Sequence, residues 1–181
     1  MINRREFIKK SLIVSGGLLV SPSDLFSYRL PVDRVIKLHN THTGEHLKAT
    51  YWAKDHFVKS ELDKLNYFLR DFRTGDIKEF DVKLFDLLYA LQLIRDTNRP
   101  FEVLSGYRSP KTNNMLRKRS EGVAKNSFHL KAKAIDINLP GTELKDLKRL
   151  AQFLRRGGVG YYPKSGFMHI DTGPIRYWHR G

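Results

Sequence analysis

The sequence predicts an α+β fold in which a small antiparallel sheet packs against helices. Two segments, 34–52 and 159–171, alternate apolar and polar residues around a turn, which is typical of β-hairpins. Three segments, 60–70, 81–94 and 141–156, repeat leucines at three- and four-residue spacing, which predicts amphipathic helices. Shorter apolar runs predict two further strands between these helices.

Composition describes an ordinary globular chain with a strongly basic surface. The 181 residues are enough for one domain, and there is no cysteine, so disulfides and thiolate metal sites are excluded. The net charge of +14 favours a polyanionic partner such as cell-wall polymer, a membrane surface or nucleic acid. Because no base-reading motif is present, nucleic acid is not the expected partner.

The N-terminus has the pattern of an export signal. A basic head with paired arginines at Arg4 and Arg5 precedes a mildly apolar run, residues 11–20, which is too short to span a bilayer. The arginine pair is similar to a twin-arginine signature. We therefore expect a signal segment over 1–29 and a single domain over 30–181 that is exported to the periplasm. The mature chain is expected to be a monomer without a transmembrane helix. An N-terminal amphipathic helix of the domain is the alternative.

Two distant segments each place a histidine on a strand-like apolar run. His129 precedes Asp136 by seven residues, and Asp136 lies between two isoleucines, where a carboxylate without a partner would be costly. His169 lies in a second such run. Two histidines and one carboxylate, with a fourth position left for water, form the ligand set of a catalytic zinc site. Hydrogen bonding of these groups to backbone or to a cationic side chain is the alternative. Three further histidines, at 39, 42 and 46, are interpreted as part of an exposed turn.

Several motifs resemble one known family. The pattern Ser-x-His-x6-Asp from Ser127, followed by the apolar strand of His169, resembles the D-Ala-D-Ala metallopeptidases, whose fold type is shared with lysostaphin-like enzymes and hedgehog signalling domains. The resemblance is closest to a periplasmic murein endopeptidase branch and covers nearly everything after about residue 35. It rests on HTGE at 42–45, SGYRS at 105–109, TNN at 112–114, GVAK at 122–125, GGVGYYP at 157–163 and HIDTGP at 169–174.

The resemblance implies a zinc-dependent endopeptidase that hydrolyses peptide cross-links of peptidoglycan, with D,D- or L,D-carboxypeptidase activity as a variant of that chemistry. It implies that Arg108 holds the scissile carbonyl or its oxyanion. A surface ion pair is the alternative for Arg108. Ser127 is expected to orient substrate or the metal-binding histidine, and Tyr161 either lines the substrate cleft or packs in the core.

The sequence departs from the wider family at two places. Many members carry Glu-x-x-His or His-x-His, whose last histidine binds the metal. With His169 as that histidine, this chain has Gly166 in place of the glutamate and Phe167 in place of the first histidine. Asp171 is therefore the candidate general base, or else it orients a metal ligand from outside the coordination shell. Ala132 replaces a glycine of the motif and would be strained if its backbone needs a positive φ.

Two other functions compete with the enzyme. A noncatalytic zinc-containing module that binds peptidoglycan would keep the fold without the base. An exported basic nucleic-acid binder would account for the charge alone.

Overall fold

In the computed structural model, which describes residues 33–120 and 122–180, eight strands form one mixed sheet. The predicted signal segment, 1–29, lies outside these residues. The sheet order is β3-β2-β1-β4-β5-β7-β6-β8, and all pairings are antiparallel except β1 with β4 and β6 with β8. The strands are β1 (Arg34–Asn40), β2 (His46–Ala53), β3 (His56–Phe57), β4 (Phe101–Ser105), β5 (Ala134–Asn138), β6 (Gly158–Tyr162), β7 (Phe167–Asp171) and β8 (Arg176–His179).

Four α-helices and one 3-10 helix accompany the sheet in the described part of the chain. They are α1 (Lys59–Phe68), α2 (Val82–Ile94), α3 (Pro110–Arg119), α4 (Leu144–Leu154) and the 3-10 helix Phe128–Lys131. Asp81 caps α2, since its side chain accepts a hydrogen bond from the backbone N–H of Lys83 at 3.1 Å. Helix α1 begins at Lys59, one residue before the predicted segment, with Val58 as its N-cap.

The core lies between the helices and one face of the sheet. Helix α1 packs on β2, α2 on β1, and α4 on β6 and β7. Alternate residues of the strands supply this face, as expected from the period of two along a strand. They include Ile36, Leu38, Ala49, Tyr51, Phe101, Val103, Ile135, Ile137, Met168 and Ile170, each at most 1% exposed.

The intervening residues point to the opposite face of the sheet, and the predicted site lies there. Asp136 stands between two core isoleucines and so faces away from the helices, and His169 is its direct register partner on β7. The predicted α+β class is confirmed. The sheet is larger than predicted, because a short parallel strand, β8, adds to one edge and a parallel pairing joins the β1–β2 hairpin to β4.

Within the described residues, the helices are all too short or too polar to cross a membrane.

Candidate metal centre and active site

Three predicted ligands converge on one point. His129 Nε2 lies 3.2 Å from Asp136 Oδ1 and 3.1 Å from His169 Nδ1, and the last two atoms are 2.8 Å apart. All three residues are buried, with exposures of 1%, 5% and 8%. Across residues 33–120 and 122–180 they are the one group of three or more such side chains close enough to share an ion. The structure therefore brings together residues that the sequence separates by forty positions.

Each ligand is placed by a different local element. Asp136 and His169 face each other across β5 and β7. His129 comes from the 3-10 helix, whose N-cap is Ser127, and the Ser127 hydroxyl accepts a hydrogen bond from the His129 N–H at 3.3 Å. Ser127 thus orients the histidine through its backbone. The 3-10 helix ends at Ala132, whose backbone is left-handed with a φ of 50°. An alanine in this conformation is strained, as predicted, and costs on the order of 1 kcal/mol relative to glycine.

Hydrogen bonds on the outer sides of both rings fix their tautomers. His129 Nδ1 lies 2.7 Å from the carbonyl oxygen of Gly106, which accepts only from a protonated nitrogen. His169 Nε2 lies 2.9 Å from Asp171 Oδ2, and a carboxylate likewise requires a donor. The proton of each neutral ring is therefore on the outer nitrogen, and both lone pairs point into the cluster.

The donor set and its spacing fit a zinc ion. Two unprotonated imidazole nitrogens and one carboxylate oxygen repel one another at 2.8–3.2 Å unless a cation or proton lies between them. Ligands about 2.0–2.2 Å from a tetrahedral zinc are themselves about 3.3 Å apart. The cluster reaches that geometry with shifts of a few tenths of an ångström.

Arg108 holds the other oxygen of Asp136. Its Nη2 donates to Asp136 Oδ2 at 2.5 Å, and its Nε donates to the hydroxyl of Ser105 at 2.8 Å. The side chain is only 14% exposed, so this is an enclosed ion pair rather than a surface one. Arg108 leaves Asp136 Oδ1 directed at the two histidines, which is what a metal-binding carboxylate needs.

Asp171 is fully buried behind His169. Its Oδ2 accepts from His169 Nε2 and from Arg176 Nη2 at 2.7 Å, and its Oδ1 accepts from Arg176 Nη1 at 3.0 Å. Backbone N–H groups of Gly158 and Gly173 add hydrogen bonds to Oδ1 at 3.2 and 2.8 Å. Both carboxylate oxygens of Asp171 therefore accept hydrogen bonds, and the carboxylate lies on the side of the His169 ring that faces away from Asp136 and His129. Of the two roles predicted for Asp171, this geometry favours orienting a ligand over acting as the base.

The electrostatics of the cluster favour an ionised Asp136 beside a neutral His129 ring. Burial opposes the ionisation of Asp136, but His129, His169 and Arg108 outweigh it and hold its pKa well below the usual range. Burial lowers the pKa of His129 despite its contact with Asp136. Burial also acts to lower the pKa of His169, but hydrogen bonds to Asp136 and Asp171 outweigh it and raise that pKa.

Gly106 contacts the cluster through its backbone and was not among the predicted site residues. It begins the turn after β4, and its carbonyl oxygen orients His129. The turn lies against the end of α1, where the Tyr107 N–H donates to the carbonyl of Leu69 at 2.8 Å. A Cβ at position 106 would lie 2.5 Å from that same carbonyl oxygen, so only glycine fits. A glycine at a strand end was the available signal.

We expect Gly106→Ala to displace the turn and weaken the site. Its methyl group would meet backbone rather than a movable side chain, so the destabilisation should be about 1–3 kcal/mol. Metal affinity should fall about 10- to 100-fold, because the outer partner of His129 moves. Gly122→Ala is the matched control, since its Cβ would meet side-chain atoms alone, Arg180 Nη1 at 3.2 Å and Ser120 Oγ at 3.4 Å. Thermal unfolding measures the stability and zinc titration the metal affinity. Equal stability and equal zinc affinity in the two variants would contradict the role of Gly106.

Aromatic residues form one wall beside His169. The Trp178 ring lies 5.2 Å from the His169 ring, and its Nε1 donates to the Tyr162 hydroxyl at 2.9 Å. Tyr162 stacks on Phe167 at 4.5 Å. The indole lies over Gly160, where a Cβ would overlap the ring. We call Tyr162, Phe167 and Trp178 the aromatic wall. Trp178 comes from the edge strand β8.

Tyr161 is on the other side of the sheet. It pairs in register with the buried Met168, and its ring lies 4.8 Å from Lys148 Nζ of α4. Since neighbouring residues of a strand point to opposite faces, Tyr161 cannot share a face with His169. This placement does not support the predicted contact of Tyr161 with substrate; the side chain is half-buried on the helix side instead of packed in the core. Tyr162 is the tyrosine on the face of the site.

An α+β sheet with a buried His–Asp–His cluster that could hold a metal ion is consistent with a hydrolase. Comparison with known proteins gives the family. The family model described as Peptidoglycan L,D-endopeptidase MepK matches residues 30–178. The chain therefore belongs to this peptidase family, and it is a peptidase.

Individual relatives agree over nearly full length. Peptidoglycan L,D-endopeptidase MepK of Escherichia coli (strain K12) is 44% identical over 176 residues, which is 97% of each chain. Probable peptidoglycan L,D-endopeptidase MepK of Haemophilus influenzae (strain ATCC 51907 / DSM 11121 / KW20 / Rd) is 41% identical over 177 residues, 97% of this chain and 95% of the relative.

Proposed function

We propose that this protein is a zinc-dependent peptidoglycan endopeptidase that hydrolyses peptide cross-links of the cell wall. The observation that carries the proposal is the convergence of His129, Asp136 and His169 in a chain of the MepK family. The names of the relatives support an L,D bond as the one cleaved. The basic surface, with a net charge of +14, suits an anionic polymer as substrate.

His129 Nε2, His169 Nδ1 and Asp136 Oδ1 would hold the zinc ion. When bound, zinc supplies Lewis-acid polarisation of the scissile carbonyl and lowers the pKa of water toward neutrality. Gly106 and Asp171 keep the outer ring nitrogens protonated, so that the inner nitrogens stay available as ligands.

Arg108 serves the site in two ways under this proposal. Its contact with Asp136 Oδ2 fixes the carboxylate that binds the metal. A guanidinium carries five N–H donors, and the described contacts to Ser105 and Asp136 use two of them. The others are available to hold the carbonyl oxygen of a substrate, the role that the family resemblance implies.

The decisive assay incubates the purified, zinc-loaded protein with isolated peptidoglycan sacculi, with and without a chelator. Release of new muropeptides that the chelator stops and added zinc restores is the expected result. Sacculus binding without cleavage would identify the noncatalytic module instead. A salt-sensitive shift of DNA with no effect on sacculi would indicate the nucleic-acid binder.

The proposal includes export to the periplasm. The arginine pair and apolar run of residues 1–29 support it, although they lie outside the described part of the structure. Cell fractionation followed by N-terminal sequencing tests it. A tagged chain that remains in the cytoplasm with its first residues intact would contradict export.

A further inference from the structure

Four basic side chains lie together on the open face of β1 and β2. Lys37 is the register partner of Lys48, and His39 is the register partner of His46. Leu38 lies between Lys37 and His39, is buried on the helix side and pairs with Leu47, so these four point to the opposite side, the face that carries Asp136 and His169. Lys48 and His46 are exposed, and their partners on β1 are half-buried. We call Lys37, His39, His46 and Lys48 the basic strip.

The strip is electrostatically unfavourable by itself. Like charges directly opposite each other on adjacent strands destabilise a sheet, and Lys37 faces Lys48 in this way. The two histidine rings stack at 4.2 Å between centroids with planes 5° apart. No carboxylate of the described residues forms an ion pair with any of the four. A bound anion would offset this repulsion.

A continuous row connects the strip to the metal centre. His39 pairs with Glu102 on β4, and Glu102 pairs with Asn138 on β5. The amide of Asn138 donates to Glu102 Oε2 at 3.3 Å. This hydrogen bond holds the Glu102 carboxylate toward β5, on the side away from the basic strip. Asn138 lies two residues after Asp136 and so on the same face. With strands about 4.8 Å apart, the strip begins about 10 Å from β5.

We propose that the basic strip binds the carboxylates of the peptidoglycan stem peptide next to the cross-link being cleaved. This inference rests on the proposed function, because it extends the substrate from the metal centre across the same sheet face. A peptide of a few residues spans the distance, since an extended chain covers about 3.3–3.6 Å per residue. The strip serves to hold the polymer and takes no part in bond cleavage.

The test compares a Lys37→Gln/Lys48→Gln double variant with a matched Lys83→Gln/Lys145→Gln variant. The control removes the same charge from exposed lysines of α2 and α4, on the helix-covered side of the sheet. Co-sedimentation with sacculi gives affinity without cleavage, and kinetics are measured on sacculi and on a short soluble cross-linked peptide. Losing the two ion pairs that Lys37 and Lys48 would form with carboxylates of the polymer should weaken sacculus binding and raise KM about 2- to 30-fold, with kcat on the short peptide unchanged.

The outcomes separate this inference from the proposed function. If the Lys37→Gln/Lys48→Gln variant bound sacculi like the wild type, or lost no more affinity than the Lys83/Lys145 control, the proposed role of the basic strip would be wrong. A fall in kcat on the short peptide would also overturn it, because the lysines would then act on the site itself. Loss of DNA binding with sacculus binding retained would assign the strip to nucleic acid. A wild-type protein that binds sacculi through the strip but never cleaves them would refute the endopeptidase alone.

Discussion

The His169→Ala variant is expected to lose both its zinc and its activity. Two ligands, His129 and Asp136, would remain, and a catalytic zinc site needs three. The change also removes the contact partner of buried Asp171, which adds destabilisation. Losing only the outer hydrogen-bond partner of a metal ligand lowers activity about 10- to 100-fold. The fall in turnover of this variant should be larger, because the ligand itself is lost. Metal analysis of the purified protein and a sacculus digest measure the two effects.

His56→Ala is the matched control for this variant. His56 is exposed on the short edge strand β3, and its ring nitrogen contacts the backbone of Lys54. It should keep one zinc per chain and full activity. If His169→Ala also retained stoichiometric zinc, His169 would not be a ligand and the site as described would be wrong.

Replacing Asp171 with asparagine should weaken zinc binding rather than remove a proton acceptor. The buried carboxylate orients His169 and pairs with Arg176. Breaking such a buried network costs about 3–5 kcal/mol of stability, and losing an outer partner costs about 10- to 100-fold in metal affinity. Activity should therefore be low at limiting zinc and return when zinc is saturating. Zinc titrations followed by both metal content and turnover test this.

The same experiment distinguishes the two roles predicted for Asp171. If Asp171 were the general base, the variant would bind zinc normally and remain inactive however much zinc was added. The Arg176→Gln variant helps here, because it keeps the carboxylate and its contact with His169. It should retain zinc binding even if the Asp171→Asn protein proves too unstable to purify.

The cluster of His129, Asp136 and His169 was largely predictable because its signals are local. Asp136 between two isoleucines on a strand needs a partner, and His169 lies on a similar run. Its supporting contacts were less accessible. The hydrogen bond from His129 to Gly106 uses a backbone carbonyl, which leaves no side-chain signature in the sequence. The occupation of both Asp171 oxygens depends on Arg176 and two glycine N–H groups that only the folded chain brings together.

The hairpins and helices followed from periodicity, whereas long-range pairings did not. The parallel contact of β1 with β4 joins residues more than sixty positions apart, and the intervening helices decide it. Strand β8 has only four residues and no buried one, so no alternation indicated it. Tyr161 and Tyr162 are adjacent and chemically identical, and only the register of β6 with β7 determines which of them shares a face with His169.

Anomalous diffraction at the zinc edge, from crystals of the zinc-loaded protein, tests the proposed metal centre most directly. We expect one strong peak within about 2.0–2.2 Å of His129 Nε2, Asp136 Oδ1 and His169 Nδ1. A peak bound by other residues, or full zinc occupancy with either histidine ring turned out of the cluster, would contradict it.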